Sequence, residues 1–228
     1  MKVSVVVPVF NEEKTIETID QKIRATGIAS EIIYVNDGST DASAAILAQL
    51  TLQENTRLVS HAVNKGKGSA LRSGVESAVG EVVILQDADL EYDPRAYANL
   101  LAPFADQSVQ IVFGARFMKH TPHVFYLPHY LANKMLTFLT NLLFGSHLND
   151  METGYKVFRK RIFDDLSITA MGFEFEPEFT AKAILRGFRI HEVPISFNPR
   201  NYQQGKKIKF KDALKAVWTL IRIRLLNS

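Results

Sequence analysis

The first half of the chain alternates short β-branched runs with amphipathic segments, and this alternation limits the possible folds more than any other feature. Parallel strands need long crossover connections, usually helices, so a strand–helix repeat predicts a parallel sheet. We therefore expect an α/β fold, a mostly parallel sheet with helices on both faces. The predicted strands are residues 3–9, 31–35, 56–61, 82–86 and 109–113, and the predicted helices are residues 12–26, 41–53, 67–79 and 94–105.

The rhythm changes after residue 114. An apolar segment, residues 124–145, is interrupted by Pro128 and Lys134. It falls short of the roughly 18 to 20 uninterrupted apolar residues that a spanning helix needs, so we predict no transmembrane segment. Instead, this segment suits a helix that lies on a membrane or packs under a lid. A strand is predicted near residues 189–197, and a final amphipathic helix at residues 211–226.

Composition limits the kinds of site and the cellular location that we expect for the protein. The 228 residues include no cysteine, which excludes a disulfide framework and a cysteine-based zinc site. The first residues lead directly into a predicted strand, so we expect a cytoplasmic protein. The net charge is only +3, but basic residues concentrate between residues 206 and 224, which indicates an anionic partner. The final helix either packs on the core with a solvated basic face or lies on a membrane surface.

Asp87 and Asp89 directly follow the predicted strand at residues 82–86. The carboxyl edge of an open α/β sheet is where such folds bind ligands. Carboxylate oxygens there suit Mg²⁺ or Mn²⁺ that also contacts the phosphates of a substrate. The structural alternative is an Asp-rich turn that caps the following helix.

Two further polar turns, residues 8–13 and 36–41, follow the first two predicted strands and would converge on the same edge. Capping could explain each turn separately, but it does not require them to converge. The segment at residues 64–69 adds glycines that allow close backbone approach and two lysines, Lys65 and Lys67. It lacks the spacing of a P-loop. Together these features indicate a nucleoside diphosphate held partly through a metal.

Six segments, in this order, resemble the family 2 glycosyltransferases with the A-type nucleotide-sugar-binding fold. They are most similar to the dolichyl-phosphate mannose synthase and polyprenyl-phosphate glycosyltransferase branch. The resemblance implies a single domain over residues 1–228, with a nucleotide-sugar-binding half (1–115) and an acceptor-binding half (116–228) that contains amphipathic helices. The segments are residues 5–12, 35–41, 64–68, 87–89, 114–117 and 150–156.

The resemblance also implies roles in donor binding. Asp87, Ala88 and Asp89 would hold the sugar diphosphate, with Asp87 and Asp89 as ligands of Mg²⁺ or Mn²⁺. Glu91 stands where the branch carries a glutamine that reaches the metal, so it is a third candidate ligand. The residues expected around the rest of the donor nucleotide are Pro8, Phe10, Glu12, Asp37, Lys65 and Gly66.

For acceptor binding, the resemblance places Arg116 beside a phosphate and assigns Arg200, supported by Lys207, to the acceptor phosphate. Asp150 would face the reacting sugar, and the sequence leaves open whether it acts as a base or as a positioning group. The catalytic candidates are thus Asp89, Asp150 and Arg116. The glutamates at 174, 176 and 178 precede or begin a predicted helix and suit its dipole, with Glu176 kept as a candidate acceptor-site residue.

The expected function is inverting, metal-dependent transfer of a sugar from a UDP-, GDP- or TDP-sugar to a polyprenyl phosphate, dolichyl or undecaprenyl. A saccharide or other non-lipid acceptor is the alternative. A nucleotidyltransferase and a non-catalytic nucleotide-binding module fit the motifs less well. We expect a peripheral position on the cytoplasmic face of the membrane, through the membrane surface itself or a separate membrane protein, and no nucleic-acid partner.

Overall fold

The computed structural model describes residues 1–118, 127–200 and 210–226. In this part of the chain seven strands form one sheet, in the spatial order β3-β2-β1-β4-β6-β5-β7. All run parallel except β6, which is antiparallel to both of its neighbours. The strands are β1 (Val3–Val9), β2 (Glu31–Asp37), β3 (Thr56–His61), β4 (Val82–Leu85), β5 (Ile111–Ala115), β6 (Lys156–Arg159) and β7 (Ile190–Pro194).

Eight α-helices accompany the sheet within the same residues. They are α1 (Ile16–Ala25), α2 (Ser43–Leu50), α3 (Lys67–Ser77), α4 (Tyr97–Leu101), α5 (Leu127–Phe144), α6 (Arg161–Leu166), α7 (Phe175–Leu185) and α8 (Phe210–Leu226). The helix predicted at residues 94–105 is instead a 3-10 turn, Pro94–Ala96, then α4, then a second 3-10 turn, Ala102–Ala105. Proline at position 103 has no N–H to donate, which disfavours one continuous α-helix there.

Helices cover both faces of the sheet, which confirms the predicted architecture. On one face α1, α2 and α4 pack on alternate residues of β1, such as Val5 and Val7. On the other face α3, α6 and α7 pack on the intervening residues, such as Val6. The strand period of two explains this alternation, and the strand residues on both faces are mostly apolar because both faces are buried. Helices α5 and α8 pack with α7 in a third cluster.

The direction of the strands determines where the polar turns lie. The carboxyl ends of β1, β2, β4 and β5 meet at one edge of the sheet. Because β6 runs in the opposite direction, it begins at that edge, and the loop that precedes it enters there. The sequence analysis did not predict β6. In the described ranges, no helix combines the length and apolar character needed to cross a membrane.

Candidate functional site

A cavity of about 1040 Å³ opens at the carboxyl edge of the sheet. Turns after β1, β2, β4 and β5 line it, together with the loop before β6 and residues from α3, α5, α7 and α8. Of the residues predicted from the sequence, Lys65 and Asp150 do not line it, and Lys207 lies outside the described residues. The predicted residues that do line it are Pro8, Phe10, Glu12, Asp37, Gly66, Asp87, Ala88, Asp89, Glu91, Arg116, Glu176 and Arg200.

Asp37 organises the glycine-rich loop. Its carboxylate accepts hydrogen bonds from the backbone N–H groups of Lys65 (2.9 Å) and Gly66 (2.8 Å), and His61 Nδ1 lies 2.7 Å away. Gly66 has a φ of +96°, and a Cβ there would collide with the carbonyl oxygen of Met171. Only glycine satisfies both conditions easily. Asp37 therefore shapes the wall of the cavity through the loop that it holds.

The side chain of Lys67, rather than that of Lys65, enters the cavity. Lys65 is exposed, whereas Lys67 Nζ lies 2.9 Å from Asp87 and 3.1 Å from Glu176. Burial alone would lower the pKa of Lys67, but the charges of Asp87 and Glu176 outweigh it and raise the pKa above its ordinary value. Lys67 thus carries a permanent positive charge at the acidic turn.

Three carboxylates crowd the turn after β4. Burial, followed by the negative charges of Asp87 and Glu91, raises the pKa of Asp89 to about 7. Glu91 accepts a hydrogen bond from the backbone N–H of Arg200 at 2.7 Å. Arg200 Nη2 lies 2.9 Å from Asp89. The turn therefore concentrates negative charge in a buried place. The cationic side chains of Lys67 and Arg200 offset part of that charge.

This arrangement fits a divalent cation. In the described part of the chain, no cluster of three or more acidic or histidine side chains is arranged to hold a metal by itself. Mg²⁺, however, is usually bound through one or two carboxylates together with substrate phosphates, and Asp87 and Asp89 are two carboxylates that line the cavity at this turn. A dication would relieve the repulsion that raises the pKa of Asp89. Glu91 as a third ligand stays a prediction.

Arg200 joins two turns of the cavity. Its guanidinium contacts Glu12, in the turn after β1, at 3.1 Å, and Asp89 at 2.9 Å. Burial alone would lower its pKa, but Asp89 and Glu12 raise it. The predicted ligand of an acceptor phosphate is therefore held by carboxylates in this structure, and a phosphate would have to replace them.

Arg116 follows β5 and is paired with Asp150. Arg116 Nε and Nη2 each lie 2.7 Å from a carboxylate oxygen of Asp150. The guanidinium carbon lies 5.2 Å from the ring centroid of Phe117 and 5.1 Å from that of Phe197. Burial would lower the pKa of Arg116, but Asp150 and neighbouring groups raise it well above its ordinary value. Arg116 lines the cavity, and Asp150 holds it from behind.

Sequence reasoning named Lys67 only as one of two lysines in the segment at residues 64–69, and it did not single out Glu152. Glu152 lies in the loop before β6 and lines the cavity. Glu174 and Glu178 have structural contacts, since both accept hydrogen bonds from backbone N–H groups of residues 169–172. Glu176 differs from them because it faces the cavity. The sequence did contain a signal for Glu152. It is an acidic residue within the segment at residues 150–156, one of the six segments that carry the family resemblance.

Comparison with known proteins extends this description. The family model for glycosyl transferase family 2 matches residues 4–167. An uncharacterized protein of Methanocaldococcus jannaschii is 28% identical over 96% of this chain and 91% of its own length. The low-salt glycan biosynthesis hexosyltransferase Agl6 of Haloferax volcanii is 27% identical over 99% of this chain and 53% of its own. The polyprenol monophosphomannose synthase of Mycolicibacterium smegmatis is 26% identical over 89% of this chain and 79% of its own.

Solved structures share the fold. The glucosyl-3-phosphoglycerate synthase of Mycobacterium tuberculosis, crystallised with Mn²⁺, UDP and phosphoglyceric acid, superposes with a TM-score of 0.73. The match covers 99% of this chain and 78% of that protein at 21% identity. At this identity the likeness establishes the arrangement of the sheet and helices.

Proposed function

This chain belongs to glycosyl transferase family 2, and on that premise we propose that it transfers a sugar from a nucleotide sugar to a polyprenyl phosphate, with inversion at the anomeric carbon. The chain is a glycosyltransferase by family. The donor, the acceptor and the metal are the parts that we propose. The cavity supports all three, since acidic, basic and apolar residues all line it.

We place the donor at the carboxyl edge of β1, β2 and β4. The loop that Asp37 holds offers backbone next to Gly66, and Asp87 and Asp89 would hold Mg²⁺ or Mn²⁺. The metal, when bound, would offset the charge that develops on the departing nucleoside diphosphate. The choice of a nucleoside diphosphate and a divalent metal is supported by the M. tuberculosis synthase, which shares the fold and was crystallised with Mn²⁺ and UDP.

Arg116 is suited to the acceptor phosphate. A guanidinium binds phosphate oxygens through parallel N–H groups, and Arg116 lines the cavity in a fixed orientation. Both oxygens of Asp150 already accept from Arg116, so we assign Asp150 to positioning. A phosphate acceptor is ionised before the reaction and needs no general base. Arg200 would join Arg116 only after leaving Glu12 and Asp89.

The observation that carries the lipid acceptor is a pair of exposed apolar stripes beside the cavity. On α5 the exposed residues recur at positions 131, 135, 138 and 142, and on α8 at 214, 218, 221 and 225. Phe138 is 67% exposed and Trp218 is 63% exposed. The two helices pack together, and Leu136 and Ala216 on their inner faces line or border the cavity. A lipid could therefore reach the cavity from a surface that these stripes contact.

Charge on α8 agrees with attachment to an anionic membrane. Lys211, Lys215, Arg222 and Arg224 outnumber Asp212 on this helix. A basic amphipathic helix binds reversibly at a membrane surface, and each basic residue near anionic lipid contributes about 1 kcal/mol. The polyprenol monophosphomannose synthase of M. smegmatis also supports this acceptor class. A separate membrane protein that covers the stripes is the alternative partner.

The first test is thermal stabilisation by UDP, GDP and TDP with and without Mn²⁺. A ligand that binds only the native state raises the melting temperature. We expect one nucleotide to give a metal-dependent shift and Asp89→Ala to abolish it. An equal shift in Asp89→Ala would refute the proposed metal site.

The second test is transfer of the sugar of that nucleotide to an acceptor. We expect product with a polyprenyl phosphate in vesicles and none with a free saccharide. Robust transfer to a saccharide, without any to polyprenyl phosphate, would overturn the lipid acceptor and favour the alternative.

A further inference from the structure

Glu176 and Glu152 are acidic residues that the proposed chemistry does not yet use. Glu176 lies in the first turn of α7, and its side chain is 7% exposed. Its Oε1 lies 3.1 Å from Lys67 Nζ, and the same ammonium lies 2.9 Å from Asp87. One cation therefore ties Glu176 to the turn that we assign to the sugar diphosphate. Glu152 lines the same cavity from the loop before β6.

Each of these carboxylates has a buried oxygen without a hydrogen-bond donor among the described residues. The atoms are Glu176 Oε2 and Glu152 Oε1. A buried acceptor that lacks a donor costs free energy, and native proteins usually satisfy such atoms with protein, water or a ligand. Both residues line the cavity, so a molecule bound there can supply the missing donors.

The buried side chain of Lys156 holds the loop that carries Glu152. Lys156 is fully buried, and its ammonium donates to the carbonyl oxygens of Met151 (3.1 Å) and Thr153 (2.5 Å). The ammonium also lies 4.5 Å from the ring centroid of Phe113. These contacts fix the backbone on both sides of Glu152, as a residue that must hold a ligand in one orientation requires.

The chemistry of these atoms selects the part of the donor that they would contact. An acidic side chain repels phosphate when it is ionised, and it forms hydrogen bonds with hydroxyl groups in either protonation state, so the partner that suits both residues carries hydroxyls rather than negative charge. In a nucleotide sugar, the sugar is the hydroxyl-bearing group that adjoins the diphosphate. We infer that Glu152 and Glu176 form hydrogen bonds with hydroxyls of the transferred sugar and so determine which sugar is used. Lys67 is the positioning residue of Glu176, and the inference rests on the proposed function.

The test compares donor affinities without an acceptor. Calorimetric titrations with Mn²⁺ would use the nucleoside diphosphate that stabilises the wild type and a panel of its hexose conjugates. In Glu152→Gln and Glu176→Gln we expect the affinity for the preferred nucleotide sugar, relative to the affinity for the diphosphate, to fall about 10-fold. Glu174→Gln is the matched control, because it lies two residues from Glu176 and binds backbone instead of lining the cavity. It should leave the ratio of the two affinities unchanged.

Donor analogues that lack one sugar hydroxyl sharpen the test. If a glutamate contacts that hydroxyl, replacing the glutamate and removing the hydroxyl should each reduce donor affinity by about the same factor. Making both changes together should reduce it only slightly further. Equal affinity of wild type and both variants for the nucleotide sugar would overturn the inference and leave the proposed function intact. A fall in transfer rate without a change in donor affinity would also overturn it, since that result indicates a general base. A wild type that binds no nucleotide would overturn the proposed function and this inference together.

Discussion

Arg116 and Asp150 form a two-pronged ion pair in which two guanidinium nitrogens each lie 2.7 Å from a different carboxylate oxygen. Asp150 is completely buried, and the backbone N–H of Arg116 donates to the same carboxylate at 3.0 Å. The pair connects the turn after β5 to the loop before β6. It therefore fixes the orientation of the cation that we assign to the acceptor phosphate.

Asp150→Asn should lower both activity and stability. Arg116 would lose the charge that orients it, and misplacement of a binding group by about 1 Å can cost about 100-fold in kcat/KM. Leaving a buried cation without its partner costs about 3–5 kcal/mol in the free energy of unfolding. Sugar-transfer rates and urea unfolding measure the two effects. Asp106→Asn, at an exposed carboxylate, is the control and should change neither. Wild-type kcat/KM in Asp150→Asn would refute the positioning role.

Lys67→Met should tighten the binding of Mn²⁺ alone. The ammonium lies 2.9 Å from Asp87 and so neutralises a carboxylate that we assign to the metal. Removing a unit positive charge at such a distance in a partly buried site is worth at least about 1.4 kcal/mol, or about 10-fold in Kd. Titration followed by the electron paramagnetic resonance of Mn²⁺ measures the affinity. Lys65→Met removes an exposed charge and should leave it nearly unchanged. Equal affinities in wild type and Lys67→Met would contradict the competition.

Glu152→Gln should stabilise the protein more at pH 8 than at pH 5. Burial, followed by the charge of Glu176, raises the pKa of Glu152 to about 8 from 4.5, with Asp150 adding to the rise and Lys156 and Arg116 opposing it. Between these pH values the native state binds more protons at this carboxyl than the unfolded state, so wild-type stability falls as pH rises. Glutamine does not titrate, and the advantage of the variant should grow by at least about 1 kcal/mol.

Free energies of unfolding in urea at the two pH values measure this advantage. Glu17→Gln, at an exposed position of α1, provides the comparison and should show no such growth. The same advantage for Glu152→Gln at both pH values would mean that the carboxylate of Glu152 is not perturbed by its surroundings.

Trp218→Glu and Phe138→Glu should weaken binding to vesicles that contain anionic lipid. Each change places a charge in the centre of an exposed apolar stripe, on α8 or α5, and should reduce the bound fraction at least about 10-fold. Flotation of the protein with vesicles measures binding. Leu52→Glu serves as the control, because Leu52 is 80% exposed but lies beyond α2, away from both stripes. Equal flotation of all variants would exclude the stripes as the contact surface.

Local pattern predicted the first half of the fold well. The predicted strands at 3–9 and 56–61 agree with β1 and β3 at every residue. β6 was missed because it has only four residues and pairs antiparallel between strands that are distant in the sequence. The spacing of apolar residues within a segment does not indicate which distant strand that segment pairs with. The helix predicted at residues 94–105 is interrupted because Pro103 has no N–H to donate, and the apolar periodicity of the segment does not report that break.

The sequence predicts where in the fold the site lies, but not which side chains contact one another there. Parallel strands bring their following turns to one edge, so the convergence of the turns with Asp37 and Asp87 follows from strand order. The ion pair between Lys67 and Glu176 spans 109 residues and depends on how α7 packs, which no motif encodes. For the same reason, Lys65 and Lys67 were indistinguishable in the sequence, although only Lys67 enters the cavity.

The central position of β6 has a consequence for synthesis of the chain on the ribosome. β4 is complete at residue 85, but its partner on that side ends only at residue 159, and β5 pairs with β6 and β7 alone. An apolar strand edge therefore stays open while about a third of the chain is translated, and open edges invite pairing with other chains. Newly made protein should depend on chaperones until the second half emerges. The cavity is complete only when α8, the last helix described, packs against α5 and α7.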